Sequence, residues 1–238
     1  MKNKKNWSGF FANMLGVILG IMLTFGVNAL WQKHEEKKKV REMLILVRNE
    51  LENNKKWFKY QEETLKKDSE ACKKILEANK KWSAIPEDSL AVYVRQFANV
   101  SIQQMTTSAW QIFQNSEMIQ KIPNKELIIR LTDCYFVVQA SHDFIMKNYW
   151  DKKYGIIPFE QTELYGFLDA IMSNKEAVHF LQSMSKNIFA NAFPAADAVI
   201  DYTLSLLDKY GDFRYDMGEK DKEFESFIQA RMDSLSQK

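Results

Sequence analysis

The stretch "FANMLGVILGIMLTFGVNALWQKHEEKKK", residues 11–39, turns from apolar to densely charged at Lys33, and its reading decides where the rest of the chain lies. From Asn6 to Gln32 no residue is charged, a run of 27 positions. As a helix that run spans roughly 40 Å, more than the ~30 Å hydrocarbon core of a bilayer requires. Trp7 and Trp31 stand near its ends, with Phe10 and Phe11 beside the first, as interfacial aromatic anchors do. Lys2, Lys4 and Lys5 flank one end and Lys33 the other.

Two other readings compete with a retained membrane anchor. A cleaved signal peptide would use the small residues of Val27-Asn28-Ala29, with the lysines as its n-region. The apolar stretch from Phe10 to Leu30 is longer than such an h-region, and a helix buried in a soluble core is seldom this long without a charge. The expectation is therefore a single membrane span. Lysines nearly balance across it, and the three at the front lean the reading toward a body outside the cytoplasm.

Charge is unevenly placed. Residues 33–82 carry 15 Lys or Arg against 10 Asp or Glu, which with the three N-terminal lysines leaves −6 for the remainder of a chain of net charge +2. The basic part adjoins the span and suits anionic headgroups. The acidic part argues against nucleic acid as a partner. Cys72 and Cys134 fit neither a zinc spacing nor a CxxC redox motif.

Within the span, Ala12, Gly16, Gly20 and Thr24 recur every four residues, with Asn28 beyond them. Small side chains let two helices approach closely in lipid, so this stripe is a candidate self-association face. After it, no Pro or Gly occurs between residues 27 and 85, and residues 33–82 read as one long charged amphipathic helix. A seven-residue frame runs through it. One seam position holds Leu44, Leu51, Phe58, Leu65, Cys72 and Asn79, and the other holds Val40, Val47, Asn54, Gln61, Asp68 and Ile75. Val40, Leu44, Val47 and Leu51 read as a coiled-coil-like start, followed by a weak, polar middle. The alternative is that this stripe docks on the protein's own distal helices. On one continuous helix, the two stripes are expected to face one partner across the membrane boundary, as a parallel homodimer with the two Cys72 side chains near each other.

Residues 83–238 read as a helical bundle. The long helix is expected to break at Ser83–Pro86, and Thr107 or Ser108 to cap "SAWQIFQNSEMIQ". Asn124 should cap a helix ending near Gly155, with further helices over Glu160–Met172, Asn174–Asn191, Pro194–Lys209 and Glu219–Ser236. The fold class expected is all-α, with domains at 1–32, 33–82 and 83–238.

Segments of the chain resemble a family of uncharacterised bacterial membrane proteins with one N-terminal transmembrane helix and a helical domain. Trp31, Glu36, Leu51, Ser116, Asn124, Glu126, Leu127, Tyr135 and Phe136 carry the resemblance. Glu117 stands where that family usually has Gly. The resemblance implies this topology, in a bacterial cytoplasmic membrane, and no activity.

Chemical motifs are sparse. Glu176-x-x-His179 has the spacing of a carboxylate-bridged metal site in a bundle but lacks its second half. Cys134 and His142 are eight residues apart on one expected helix, too far to touch. There is no GxGxxG, P-loop, GxSxG or HExxH motif. The expectation is a non-enzymatic, cofactor-free interaction or scaffold protein, self-associating and engaging the bilayer and an unidentified protein partner. The alternative is a ligand-sensing bundle with a pocket lined by Trp110, Phe113, Tyr135 and Trp150. If the anchor is retained, the mass of membrane-extracted protein will include the full N-terminus; a mature chain beginning at Leu30 would overturn this.

Overall fold

The computed structural model of the chain describes residues 7–100, 102–186, 189 and 192–210, with side chains from Met14 onward except at 192 and 210. Its first element, α1, runs unbroken from Trp7 to Ala78, 72 residues or about 108 Å. Span and long charged helix are thus one rod, with no Pro in its interior and no Gly after Gly26. It stops earlier than Ser83–Pro86. Asn79 and Lys80 take φ of 45° and 65°, the left-handed region that a right-handed helix cannot continue through. Asn tolerates that region; Lys80 is held there at a cost of about 1 kcal/mol. Trp82–Ala84 forms a short 3-10 turn, and Pro86 opens the next helix.

The remaining elements are α2 (Glu87–Ala98), α3 (Ser108–Gln114), a 3-10 turn (Glu117–Lys121), α4 (Lys125–Ile145), a π turn (Met146–Trp150), α5 (Asp151–Ile156), α6 (Leu164–Ser173), α7 (Lys175–Ser185) and α8 (Ala192–Tyr210). The fold is all-α, and no strand occurs among the described residues. The helix expected over Glu219–Ser236 lies outside them. "SAWQIFQNSEMIQ" is two pieces rather than one helix. Asn115 Nδ2 donates to the Gln111 carbonyl and Ser116 Oγ to that of Phe113, so side chains compete for the carbonyls that continuation would use. Asn124 caps α4 as expected, accepting from the Leu127 amide at 3.2 Å. Asn174 both ends α6 and caps α7, accepting from the Glu176 and Ala177 amides.

One face of α1 is the wall on which the body is built. Leu44, Val47, Leu51, Phe58, Leu65, Cys72 and Ile75 are buried along it, and Val40 is half-buried at its start. They pack on α2, α3, α7 and α8 of the same chain. The seam therefore docks on the chain's own helices. Leu44, Val47 and Leu51 cannot pair with a second copy without leaving this core, and Cys72, fully enclosed, is not placed to crosslink. α8 runs antiparallel to α1, with Asp201 on Lys55 at 2.5 Å and Asp208 on Arg48 at 2.9 Å. α4 runs parallel to α1 and packs on α8.

The polar seam positions are buried too. Asn54, Gln61 and Asp68 are each 1% exposed or less, and Glu50 lies one turn before Asn54. Between α2 and α3, residues 99–100 and 102–107 form no helix, so their amides and carbonyls need partners, and α1 supplies several. Going down α1, Asp68 accepts from Gln96 Nε2 (2.6 Å), Trp57 Nε1 donates to the Gln103 carbonyl (2.6 Å), and Asn54 bonds both the amide and the carbonyl of Thr106. Glu50 then accepts from the Ala109 and Trp110 amides, at 2.8 and 3.1 Å. The connection runs antiparallel to α1 as a ladder. Thr107 makes no side-chain cap on α3, and the Glu50 carboxylate takes that place from another helix. It also accepts from the Tyr135 hydroxyl at 2.7 Å, which ties α4 to the same point.

Glu50→Ala leaves two helix amides and a buried phenol without an acceptor, so it is expected to destabilise the body by about 3 kcal/mol. Glu50→Gln, which keeps an acceptor, should cost less. The measurement is the denaturant midpoint of the detergent-solubilised full chain, read from tryptophan fluorescence.

Candidate functional site

The densest polar cluster surrounds Asp68. Its carboxylate receives the Gln96 amide, the Tyr149 hydroxyl and the Lys153 ammonium. Lys153, 0% exposed, also donates to the Asn99 carbonyl at 2.7 Å and to Tyr149 Oη at 3.2 Å, so all three of its protons are used. The ammonium lies 5.3–5.7 Å from the ring centres of Phe97, Tyr149 and Trp150. Tyr149 and Lys153 are four residues apart and reach one carboxylate together. The π turn explains how Trp150 joins them. At 100° per residue Trp150 would point about 140° away from the core-facing Ile145 line, and the wider turn draws it back inward. There its indole Nε1 donates to Gln61 Oε1 at 2.9 Å, adding another buried link to α1.

Electrostatics follow from this enclosure. Burial pulls the Lys153 ammonium below its ordinary range, against the opposing pull of Asp68. Burial, and then the Asp68 charge, push the Tyr149 phenol well above its ordinary range. Burial and the Glu50 charge do the same to Tyr135. Burial raises the Cys72 thiol strongly and moves Cys134 to about 11. Both sulfurs are therefore protonated at neutral pH and lack the thiolate that nucleophilic chemistry needs. The Asp68–Lys153 pair is an interior clamp: with the acid 1% and the base 0% exposed, neither meets a substrate in this conformation.

A surface groove of about 590 Å³ lies between the π turn with α5 on one side and α7 on the other, lined in part by Asn148, Lys152, Glu176, His179, Phe180 and Phe189. Glu176 and His179 are both exposed on its rim. No group of three His, Cys, Asp or Glu side chains placed to hold a metal occurs among the described residues. His142 is half-buried, with Nδ1 3.0 Å from Asp143 Oδ1, and His34 is exposed. Trp110, Phe113, Tyr135 and Trp150 are packed in the core rather than around an opening, with Trp110 stacked on Tyr135 at 5.1 Å.

The span side chains from Met14 to Trp31 are all exposed, and this part of α1 is long and apolar enough to cross a membrane. Nothing among the described residues covers the small-residue stripe. A Cβ added at Gly16 or Gly20 meets no atom within 4 Å, and Thr24 Oγ1 donates back to the Gly20 carbonyl at 2.8 Å. The side chain of Ala12 lies outside the described residues. The stripe does not share a face with the seam. Gly20 and Val47 are 27 residues apart on one helix, about seven and a half turns, so they point in opposite directions. The expectation of a common face is corrected by that rotation.

At the outer apex of α4, directly opposite its buried Leu127, Leu131 and Val138, stand Ile129 (58% exposed) and Phe136 (74% exposed). Tyr135, its neighbour, is buried. Sequence reading missed Glu50, Tyr149 and Lys153 altogether. For Glu50 and Asp68 the signal was present in polar residues recurring on the apolar side of a long helix. No family model matches the chain, and comparison with curated proteins and with solved structures returns no match.

The two raised phenols set an expected pH dependence. Tyr135 and Tyr149 keep their protons when folded, whereas unfolded tyrosine loses its proton above about pH 10. Their contribution is complete below that pH and falls by about 1.4 kcal/mol per pH unit for each tyrosine above it. In a spectrophotometric titration, Tyr135 and Tyr149 should ionise only as the chain unfolds. Ionisation of all nine tyrosines in the folded chain would contradict this.

Proposed function

We propose that this is a membrane-tethered helical interaction protein that self-associates through its span and holds its body against the membrane for a protein partner. The observation that carries the reading is the division of labour on α1. The apolar face beyond the membrane is consumed by the chain's own body, whereas the span is 0% buried and its small-residue face is open. Close approach of two such faces in lipid needs no side chain to be displaced. Because Gly20 and Val47 point oppositely, two copies meeting along Gly16, Gly20 and Thr24 keep their bodies on the outside of the pair.

In water the same side of α1 presents Lys38, Glu42, Lys56, Glu63 and Lys67, a mainly charged surface with Tyr60 on it and Leu46 at its edge. Pairing is therefore confined to the span in this reading. The α4 apex with Ile129 and Phe136 is an apolar surface suited to the protein partner. The acidic distal body disfavours nucleic acid. A bacterial cytoplasmic membrane, with the body outside the cytoplasm, is the setting we propose, in keeping with the family resemblance of the sequence. The reading is non-enzymatic: the interior clamp is closed and both thiols are held protonated.

Gly16→Ile with Gly20→Ile is expected to reduce dimerisation several-fold in a membrane reporter assay, while the helical content of the body stays unchanged by circular dichroism. Leu44→Lys with Leu51→Lys should unfold the body rather than only separate dimers. Wild-type chain that is monomeric in mild detergent and also fails to crosslink through its lysines in native membranes would end the self-association reading.

A further inference from the structure

The body does not stand clear of the bilayer. Three contacts along α1 give the level of each part. Ala109 and Trp110, at the start of α3, meet Glu50. Tyr135 of α4 meets Glu50 and the Val47 carbonyl. Between them in sequence, Lys121 pairs with Glu36 at 3.1 Å. So α3 descends toward the span, residues 115–125 turn, and α4 climbs away. The turn is the part of the body lowest on the rod. Glu36 lies five residues past Trp31, about 7.5 Å along the helix axis. The headgroup layer is itself roughly 5–7 Å deep on each side of the hydrocarbon core. With Trp31 in the interfacial belt, the turn reaches the outer headgroups.

No hinge separates the two parts, because α1 is continuous and has no Pro or Gly between Gly26 and its end at Ala78. The turn also lies to one side of the rod, by about the 8–10 Å of a helix–helix packing distance. A typical tilt of about 20° toward that side lowers it by a further ~3 Å, into the headgroups. Lys33 stands one turn below Glu36 on the same face of α1, between turn and span, and is exposed. Lys121 and Lys125 are exposed on the turn itself; Glu117 and Glu126 accompany them, and Pro123 and Gln120 are exposed at its tip. The aliphatic stems of such lysines fit the headgroup zone while their ammonium groups meet phosphate.

We propose that the turn at residues 115–125, together with Lys33, is a contact surface for anionic lipid headgroups. This rests on the membrane-spanning reading above. It sets the direction in which the rod tilts: the turn between α3 and α4 faces the bilayer, and the α2–α6 end faces away from it.

The test uses single cysteines added to the full chain, whose native thiols are buried. Leu23→Cys, Gln120→Cys and Gln161→Cys each carry a fluorophore, in vesicles of phosphatidylcholine with and without one-third phosphatidylglycerol. The label at 23 should be quenched by acyl-chain quenchers. The label at 120 should be quenched several-fold more than that at 161 by headgroup-attached quenchers, and more so with phosphatidylglycerol. Lys33→Glu with Lys125→Glu, which spares the Lys121–Glu36 pair, should remove the phosphatidylglycerol-dependent part. A label at 23 inside the hydrocarbon with 120 no more quenched than 161 overturns the proposal and leaves the span intact. A label at 23 that is not quenched overturns the spanning reading itself. Quenching at 120 indifferent to phosphatidylglycerol and to the lysine changes overturns the anionic-headgroup assignment.

Discussion

The fold depends on one constraint: α1 buries carboxylates and amides on the face that also carries its largest apolar residues, and each of these polar side chains has a partner in the body. Glu50, Asn54, Gln61 and Asp68 are bonded to a helix start, a loop strand, an indole and an ammonium in turn. An apolar stripe alone tolerates sliding, because Leu on Leu at one register resembles Leu on Leu at the next. A ladder of unlike polar partners does not. Displacing α1 by one turn would place Glu50 away from the α3 amides and Asp68 away from Lys153, leaving buried charge uncompensated at several kcal/mol. Apolar burial supplies the driving force, and the ladder selects the register.

From that register the geometry of the rest of the molecule follows. α1 is a rod shared by the apolar segment and the core, so the body cannot rotate independently of that segment. One side of the rod is occupied by α2, α3, α7 and α8; the opposite side, in the span, is the stripe of small residues. α4 is held to α1 through Tyr135 at its middle and through Tyr149 and Lys153 beyond its C-terminal end, which leaves Ile129 and Phe136 pointing outward. The turn at residues 115–125, the outer α4 face and the apolar segment are thus three surfaces fixed relative to one another by one helix.

The interior also shows how far burial can move a group without making it reactive. Tyr135 and Tyr149 are pushed upward by desolvation and by the carboxylates they hydrogen-bond. Those carboxylates are the ones that clamp the fold. The lysine beside Asp68 is lowered by burial, yet all its protons are committed. Perturbed ionisation in this protein belongs to its architecture, as it can in any buried polar network.

What the sequence determined by itself was local. A charge-free run long enough to cross a bilayer, the scarcity of Pro and Gly, and the Asn residues that cap α4 and α7 are written in nearest-neighbour chemistry, and the helical elements follow from them. The break after "SAWQIFQ" was not legible in this way, because it turns on which carbonyls Asn115 and Ser116 reach. The apolar seam was legible as a stripe, but its partner was not: periodicity reports that a face is buried and is silent on whether a second copy or the chain itself buries it. Asn54, Gln61 and Asp68 looked like defects in a coiled-coil frame because their partners lie 28 to 89 residues away. Only the tertiary structure brings Lys153 and Trp150 to them, through a π turn with no mark in composition. The rotation between the small-residue stripe and the seam is set by residue count, but it acquires meaning only once α1 is one unbroken helix and the body fills one of its sides.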